Sequence, residues 1–231
     1  SALQNANEEA EGEILDMVVA TRVPRNGEGQ KHNDLGNRTY EVYANIEKPY
    51  EIDANGRGSE FESGDIYKSV EEALADAQYD GVIIRNWRVG RTQQLGDVVV
   101  PKDGSQIKLT SNENPTESED VRYRIIPEVR EEMKTIKEQA EKDGTFMNAP
   151  NGLRSNLTEE QWAMVRTKNF KNWFGDWINE PENASKVVDE NGEPMVMYHG
   201  TSNEPFTELK REKIGTSTDI GYSGKGFYFS S

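Results

Sequence analysis

The chain has 231 residues, of which 42 are acidic and 27 basic, giving a net charge of -15; this argues against nucleic acid or an anionic membrane as its main partner, because gripping phosphates needs basic surface. It has no cysteine and only two histidines, His32 and His199, which excludes disulfides, thiolate metal sites and a His-rich metal centre, so no metal is expected. Its apolar runs are only a few residues long, and residues 1–13 are acidic with no apolar stretch, so neither a membrane span nor a signal peptide is expected and the cytoplasm is the default compartment.

With 33% hydrophobic residues and 20 glycines, the chain reads as loop-rich, yet its aromatic residues are spread along the whole length, as in a globular protein. Residues 1–12 read as the start of a helix, with Ser1 as its cap. Residues 26–37 are polar and glycine-rich and read as a loop. Residues 39–46 (T-Y-E-V-Y-A-N-I) alternate and predict a strand that Lys48-Pro49 ends. A loop over 54–64 leads to an amphipathic helix over 67–77, with Val70, Ala73, Leu74 and Ala77 on one stripe. Asp80-Gly81 predicts a turn, Val82-Ile83-Ile84 a short buried strand, and 88–96 a polar loop. Val98-Val99-Val100 follows as a strand, then a turn at Asp103-Gly104 and a last strand over 106–110.

Residues 111–120 (S-N-E-N-P-T-E-S-E-D) have a linker's composition. Pro127 suits a first helical position, Val129, Met133, Ile136 and Ala140 form one stripe, and Asp143-Gly144 ends that helix. A loop over 148–156 precedes Thr158 and Gln161, the spacing of a capping box. The helix they open carries Trp162, Val165, Phe170, Trp173 and Phe174 and stops at Gly175. These aromatics, with Trp177, suit a core better than a ligand platform, and a helix with that stripe must dock on the domain itself or on another chain. Asn191-Gly192 turns the chain into a strand over 195–199. Strands thus cluster in 39–110 and 195–230 around a helical stretch, and neither group alone would bury a sheet.

Two motif-like stretches fail on spacing. Gly221-x-x-Gly224-Lys225-Gly226 lacks the pattern of a phosphate loop, and Asp53-x-Asn55-Gly56 lacks the later positions of a calcium loop.

Five segments carry a resemblance: Tyr198-His199-Gly200-Thr201, the run from Gly224 to Phe229 (G-K-G-F-Y-F), Tyr43-x-x-Ile46-x-x-Pro49, Tyr79-Asp80-Gly81-Val82-Ile83, and Gln106-Ile107-Lys108. Together they resemble the ADP-ribosyltransferase domain of polyvalent proteins, large proteins carried by phages and conjugative elements. That domain belongs to the His-Tyr-Glu branch of these enzymes. Residues 156–175 with Trp177 look like the stretch that precedes the domain in the same proteins. The resemblance implies an α+β fold with a split β-sheet core and NAD as the substrate that donates ADP-ribose. The order of segments differs from the family's, in which the His strand comes first. The implied organisation is a circularly permuted one: 1–110 as the C-terminal half of the transferase core, 111–194 as linker and accessory helical segment, and 195–231 as the N-terminal half. One intact domain built from both halves is one expectation. A domain-swapped dimer or a neighbour in a tandem array is the other.

The reaction that the resemblance implies breaks the nicotinamide–ribose bond through an oxocarbenium-like transition state, as in glycoside cleavage. His199 would hydrogen-bond a ribose hydroxyl, Gly200 would clamp the nicotinamide amide with its backbone, Tyr228 would stack on the nicotinamide ring, and Thr201 would support the ribose or phosphate side. Taken alone, His199 reads more readily as a core histidine at a strand end, a reading that the following glycine and the downstream G-x-G-x-Y-F run outweigh, and Tyr228 suits the core equally well. The family's acid is a Glu; here Asp97 stands in that place, one methylene shorter, a change that can misplace the carboxylate by about 1 Å and cost on the order of 10²-fold in rate. The helix that would follow Tyr228 in the rejoined order offers Asn7, Glu8 and Glu9 where the branch often has a second aromatic. Gln93 and Gln94 are the acceptor-loop candidates, facing a protein acceptor, which could be a host target reached from a phage or mobile element. Two alternatives stand beside the mono-ADP-ribosyltransferase: a catalytically inactive module that binds NAD or ADP-ribose, and a spacer with no ligand.

Overall fold

The computed structural model describes residues 38–58, 64–89, 94–116, 118, 126–201 and 227–231. The expected first helix, the 26–37 loop, Gly224-Lys225-Gly226 and Gln93 lie outside the described residues. The chain divides into a small unit, Ser1–Tyr40 with His199–Pro205, and a large one, Glu41–Tyr198 with Phe206–Ser231.

The fold is α+β. Seven strands are described: β1 (Arg38–Ala44), β2 (Pro49–Asp53), β3 (Gly81–Val89), β4 (Gln94–Pro101), β5 (Ile107–Leu109), β6 (Met197–Thr201) and β7 (Phe229–Ser230). They form one mixed sheet in the order β2-β3-β4-β7-β6-β1-β5. Four α-helices are found among the described residues: α1 (Gly64–Ala75), α2 (Pro127–Asp143), α3 (Glu159–Val165) and α4 (Lys168–Phe174).

At one end of the sheet, β2, α1 and β3 make a parallel crossover, with Pro49 opposite Gly81 and Ile52 opposite Ile84. Parallel neighbours need such a connection, and α1 provides it. Its Ile66, Val70, Ala73 and Leu74 cover Val82, Ile84, Val98 and Val100. Ile83 and Val99 point to the other face and are buried there as well. Reading Lys48-Pro49 as the end of a strand missed β2. Proline cannot donate to a ladder, but it is accommodated as the first residue of an edge strand, which is where Pro49 stands. The 88–96 loop is also corrected. Strands β3 and β4 continue as a ribbon, with Trp87 opposite Gly96, Arg88 opposite Leu95 and Val89 opposite Gln94. This ribbon extends past the covered face, so no alternation marks it. An irregularity between Ile84 and Trp87, with Asn86 at φ 55°, re-aims its side chains.

The helical stretch builds the other half of the core. Pro127 opens α2 and Gly144, at φ 68°, closes it. Thr158 and Gln161 form the reciprocal capping box of α3. The single helix expected through Phe174 is two helices. Thr167 splits them: its hydroxyl donates to the Met164 carbonyl (2.7 Å) and accepts from the Phe170 amide (3.4 Å), ending one helix and capping the next. Trp162, Phe170, Trp173, Phe174 and Trp177 pack in one buried cluster with Tyr43 of β1. Polar contacts fix the same seam: Asn45 Nδ2 donates to the Trp173 carbonyl (2.6 Å), and the Ser185 hydroxyl bridges the Ala44 carbonyl and the Ile46 amide, each at 3.0 Å.

Residues 111–120 read as a linker by composition, but among those described, 111–116 and 118, several are pinned. Asn112, Glu113 and Pro115 are buried. Glu113 accepts from the Ile126 amide (2.6 Å) and from Arg130 Nε (2.9 Å), so its carboxylate caps α2 from outside the helix. Composition cannot separate a polar segment facing water from one whose polar groups are all engaged by the fold.

Tyr43 is fully buried, its ring edge-on to Phe170 at 5.1 Å. Burial pushes its phenol far above the ordinary tyrosine range, and the carboxylates of Glu193 and Glu41 add to the shift. A group whose folded pKa is raised contributes stability below its unfolded pKa, about 10, and loses it as pH rises. Stability is therefore expected to fall above pH ~10 by about 1.4 kcal/mol per pH unit for this proton. Tyr43→Phe should remove that share of the slope, and urea titrations across the alkaline range would show it. An identical slope in both proteins would refute the assignment.

Candidate active site

Two of the expected site residues lie in the large unit: Asp97 on β4 and Tyr228 just before the neighbouring β7. Strand β4 pairs antiparallel with β7, with Val98 opposite Ser230 and Val99 opposite Phe229. Ser231 continues the ladder: its amide donates to the Asp97 carbonyl (2.9 Å), and its hydroxyl accepts from the Asp97 amide (2.8 Å). Tyr228 precedes β7 and packs half-buried against the α1 cluster, on the face of Val98 and Val100. Asp97 is one residue out of phase with that face, so its side chain lies on the opposite side of the sheet, with Val99 and Phe229. The structure thus brings Asp97 on β4 near the residue that leads into β7, and the alternation along β4 puts the Asp97 side chain on the face opposite the one Tyr228 packs against.

The Asp97 carboxylate is engaged. Arg85 of β3 donates to it through Nη1 at 2.5 Å, and Glu51 of β2 lies 3.9 Å from Arg85 Nε. Sequence reasoning missed Arg85, although a signal was present. Val82-Ile83-Ile84 is followed by Arg85 and Val98-Val99-Val100 is preceded by Asp97, so the two apolar triplets are flanked by opposite charges. Antiparallel pairing of Ile84 with Val98 sets those charges beside each other.

His199, Gly200 and Thr201 stand on β6 and belong to the small unit. His199 is half-buried and Gly200 exposed. Among the described residues, a Cβ built on Gly200 meets nothing within 4 Å. Tyr198, just before them and in the large unit, has its phenol pKa raised by burial and by the nearby Glu41 carboxylate. Its strand is joined to β7 through the pair Tyr198–Ser230.

Gln94 is exposed at the first position of β4, on the ribbon rather than in a loop. The ribbon is braced by Arg88, whose guanidinium donates to the Gly56 carbonyl and whose amide donates to the Arg57 carbonyl (3.1 Å). At Gly58 an added Cβ would meet the Arg88 Cβ and carbonyl at 2.4 Å, so the 54–58 turn lies directly on the ribbon's backbone. Among the described residues, no three His, Asp or Glu side chains converge as a metal site, and no helix is long and apolar enough to cross a membrane. A cavity of about 400 Å³ lies on the helical stretch instead, lined by Glu113, Arg130, Met133, Lys137, Glu138 and Glu160 among others.

Residues 189–231 match the family model described as ADP-Ribosyltransferase in polyvalent proteins. The match takes in Tyr198-His199-Gly200-Thr201 and the Gly224–Phe229 run, so over this stretch it bears out the resemblance read from the sequence. No curated protein and no solved structure matches the chain.

Proposed function

We propose that the chain is a mono-ADP-ribosyltransferase that moves ADP-ribose from NAD to a side chain of a protein acceptor. The observation that carries this reading is the family match over 189–231, which contains the full set of residues expected to grip NAD. In the reaction the bond between ribose C1′ and the nicotinamide nitrogen breaks, nicotinamide leaves with the bonding pair, and an acceptor heteroatom bonds to C1′ and loses its proton. His199 holds a ribose hydroxyl, Gly200 clamps the nicotinamide amide through its backbone, Tyr228 stacks on the ring and Thr201 supports the ribose or phosphate side. Asp97 would be the acid that offsets the charge growing at C1′, a role that requires its carboxylate to leave Arg85 and reach the face of Tyr228, and Gln93 and Gln94 would face the acceptor. The two halves act as one domain in circularly permuted order. In support, Val99 of the first half pairs with Phe229 of the second within a single chain. NAD is the substrate in a cytoplasm, that of the host where a phage or mobile element delivers the protein.

A second reading is favoured by a specific observation. Asp97 is ion-paired to Arg85 and faces away from Tyr228, as suits a module that binds NAD or ADP-ribose without cleaving it. Nicotinamide release from NAD, measured beside calorimetric binding, separates the two. Release that Asp97→Ala abolishes supports the transferase with Asp97 as its acid, and release that survives Asp97→Ala removes the acid assignment. Binding with no release supports the second reading. Absence of both sinks both.

A further inference from the structure

A buried charged pair lies outside the site, at the junction of the helical stretch with the segment that leads into β6. Arg166 follows α3, and Glu193 lies in the turn before β6. The guanidinium grips the Glu193 carboxylate with both ends, Nη2 to Oε1 at 2.6 Å and Nη1 to Oε2 at 3.2 Å. The Glu193 side chain is 0% exposed and that of Arg166 only 12%. The same guanidinium donates to the carbonyls of Trp162 and Asn148, each at 3.0 Å, and lies 3.9 Å above the Trp162 ring. Around Glu193 the turn is closed by backbone: Asp189 donates to the Glu193 carbonyl (2.8 Å), Val188 bridges Pro194, and Met195 donates to the Val187 carbonyl (3.1 Å). The other arm of the turn is tied to the end of β1, where Lys186 donates to the Ile46 carbonyl (2.7 Å).

A buried ion pair is a poor device for stability alone, because well-packed apolar residues often serve as well or better. What a two-pronged guanidinium–carboxylate contact adds is direction and register. Register is decisive here, because Glu193 is four residues before Met197, the first residue of β6. A slip of one residue in a strand sends every side chain to the opposite face. We infer that Arg166 and Glu193 are a positioning pair that fixes the register of β6, and with it the presentation of the NAD-gripping residues that this strand carries. The inference rests on the transferase reading for its consequence, though not for its geometry.

The test uses the full chain with Glu193→Gln and, separately, the double variant Arg166→Met with Glu193→Leu, which removes both charges and leaves neither unpaired. Because His32 and His199 are the only histidines, the imidazole region of a proton–nitrogen spectrum holds two signals, which His32→Gln assigns. Well below the unfolding midpoint, the His199 signal should move in both variants. The kcat/KM for nicotinamide release should fall at least about tenfold, as expected when a group that acts on the developing charge is misplaced. If Glu193→Gln does not fold, the double variant decides. A double variant as stable as the parent, with the His199 signal and kcat/KM unmoved, overturns the inference. So does a double variant that fails to fold, since the pair would then be holding the fold rather than the register. Should the parent neither bind nor cleave NAD, the transferase reading falls, and the His199 signal alone still answers whether the pair sets β6.

Discussion

Phe170→Ala is expected to remove about 3–5 kcal/mol of stability, the usual cost of truncating a buried phenylalanine. Phe170 is 1% exposed and sits at the centre of the aromatic cluster. Its ring lies edge-on to Tyr43 at 5.1 Å and to Trp173 and Trp177 at 5.8 Å each, and is stacked on Phe174 at 5.1 Å. Each such pair contributes about 0.5–1.5 kcal/mol beyond the area that it buries. The whole stability of a domain is about 5–15 kcal/mol, so the variant is left marginal. The same contacts predict how it unfolds. Phe170 is on α4 and Tyr43 on β1, so helical stretch and sheet share one core in the large unit and should melt together. Urea titrations followed by ellipticity and by tryptophan fluorescence should trace one transition in the parent chain, shifted as a whole in the variant. Two separate transitions, or a midpoint that Phe170→Ala leaves in place, would refute the shared core.

That core was legible in the sequence because it follows from periodicity and punctuation. The stripe Trp162, Phe170, Trp173, Phe174, the Thr158–Gln161 box, Pro127 and Gly144 each act through neighbours a few residues away, and each appears where local rules put it. The parts that escaped depend on distant partners. Nothing near Pro49 says that it begins an edge strand, since β3, more than thirty residues on, supplies the ladder. Nothing in 111–118 says that Glu113 will reach across to cap α2. Thr167 splits a helix that the hydrophobic pattern alone would continue. The candidate site divides in the same way. The residues of β6 and β7 announced themselves as motifs, and the family match falls on them. The environment of Asp97 did not, because its ion pair to Arg85 and its face relative to Tyr228 are set by pairing with two other strands.

His199→Ala is expected to lower kcat/KM for nicotinamide release on the order of 10²–10³-fold, as removing one preorganised hydrogen-bond donor from a charge-developing site does. In the proposed reaction the imidazole would fix the ribose while its anomeric carbon turns cationic, so its loss would free the sugar to rotate out of the productive pose. The fold should survive, since His199 is only half-buried on its strand. Gly200→Val makes the complementary test. Among the described residues an added Cβ meets nothing within 4 Å, and valine suits a strand, so unfolding should be little changed. Yet a branched side chain would occupy the space through which a nicotinamide amide must reach the Gly200 backbone. A Gly200→Val protein that is folded and no longer binds NAD would place the ligand against this strand. If Gly200→Val and His199→Ala both kept parental affinity and turnover, the grip assigned to β6 would be wrong, and the ligand would have to be sought elsewhere on the chain.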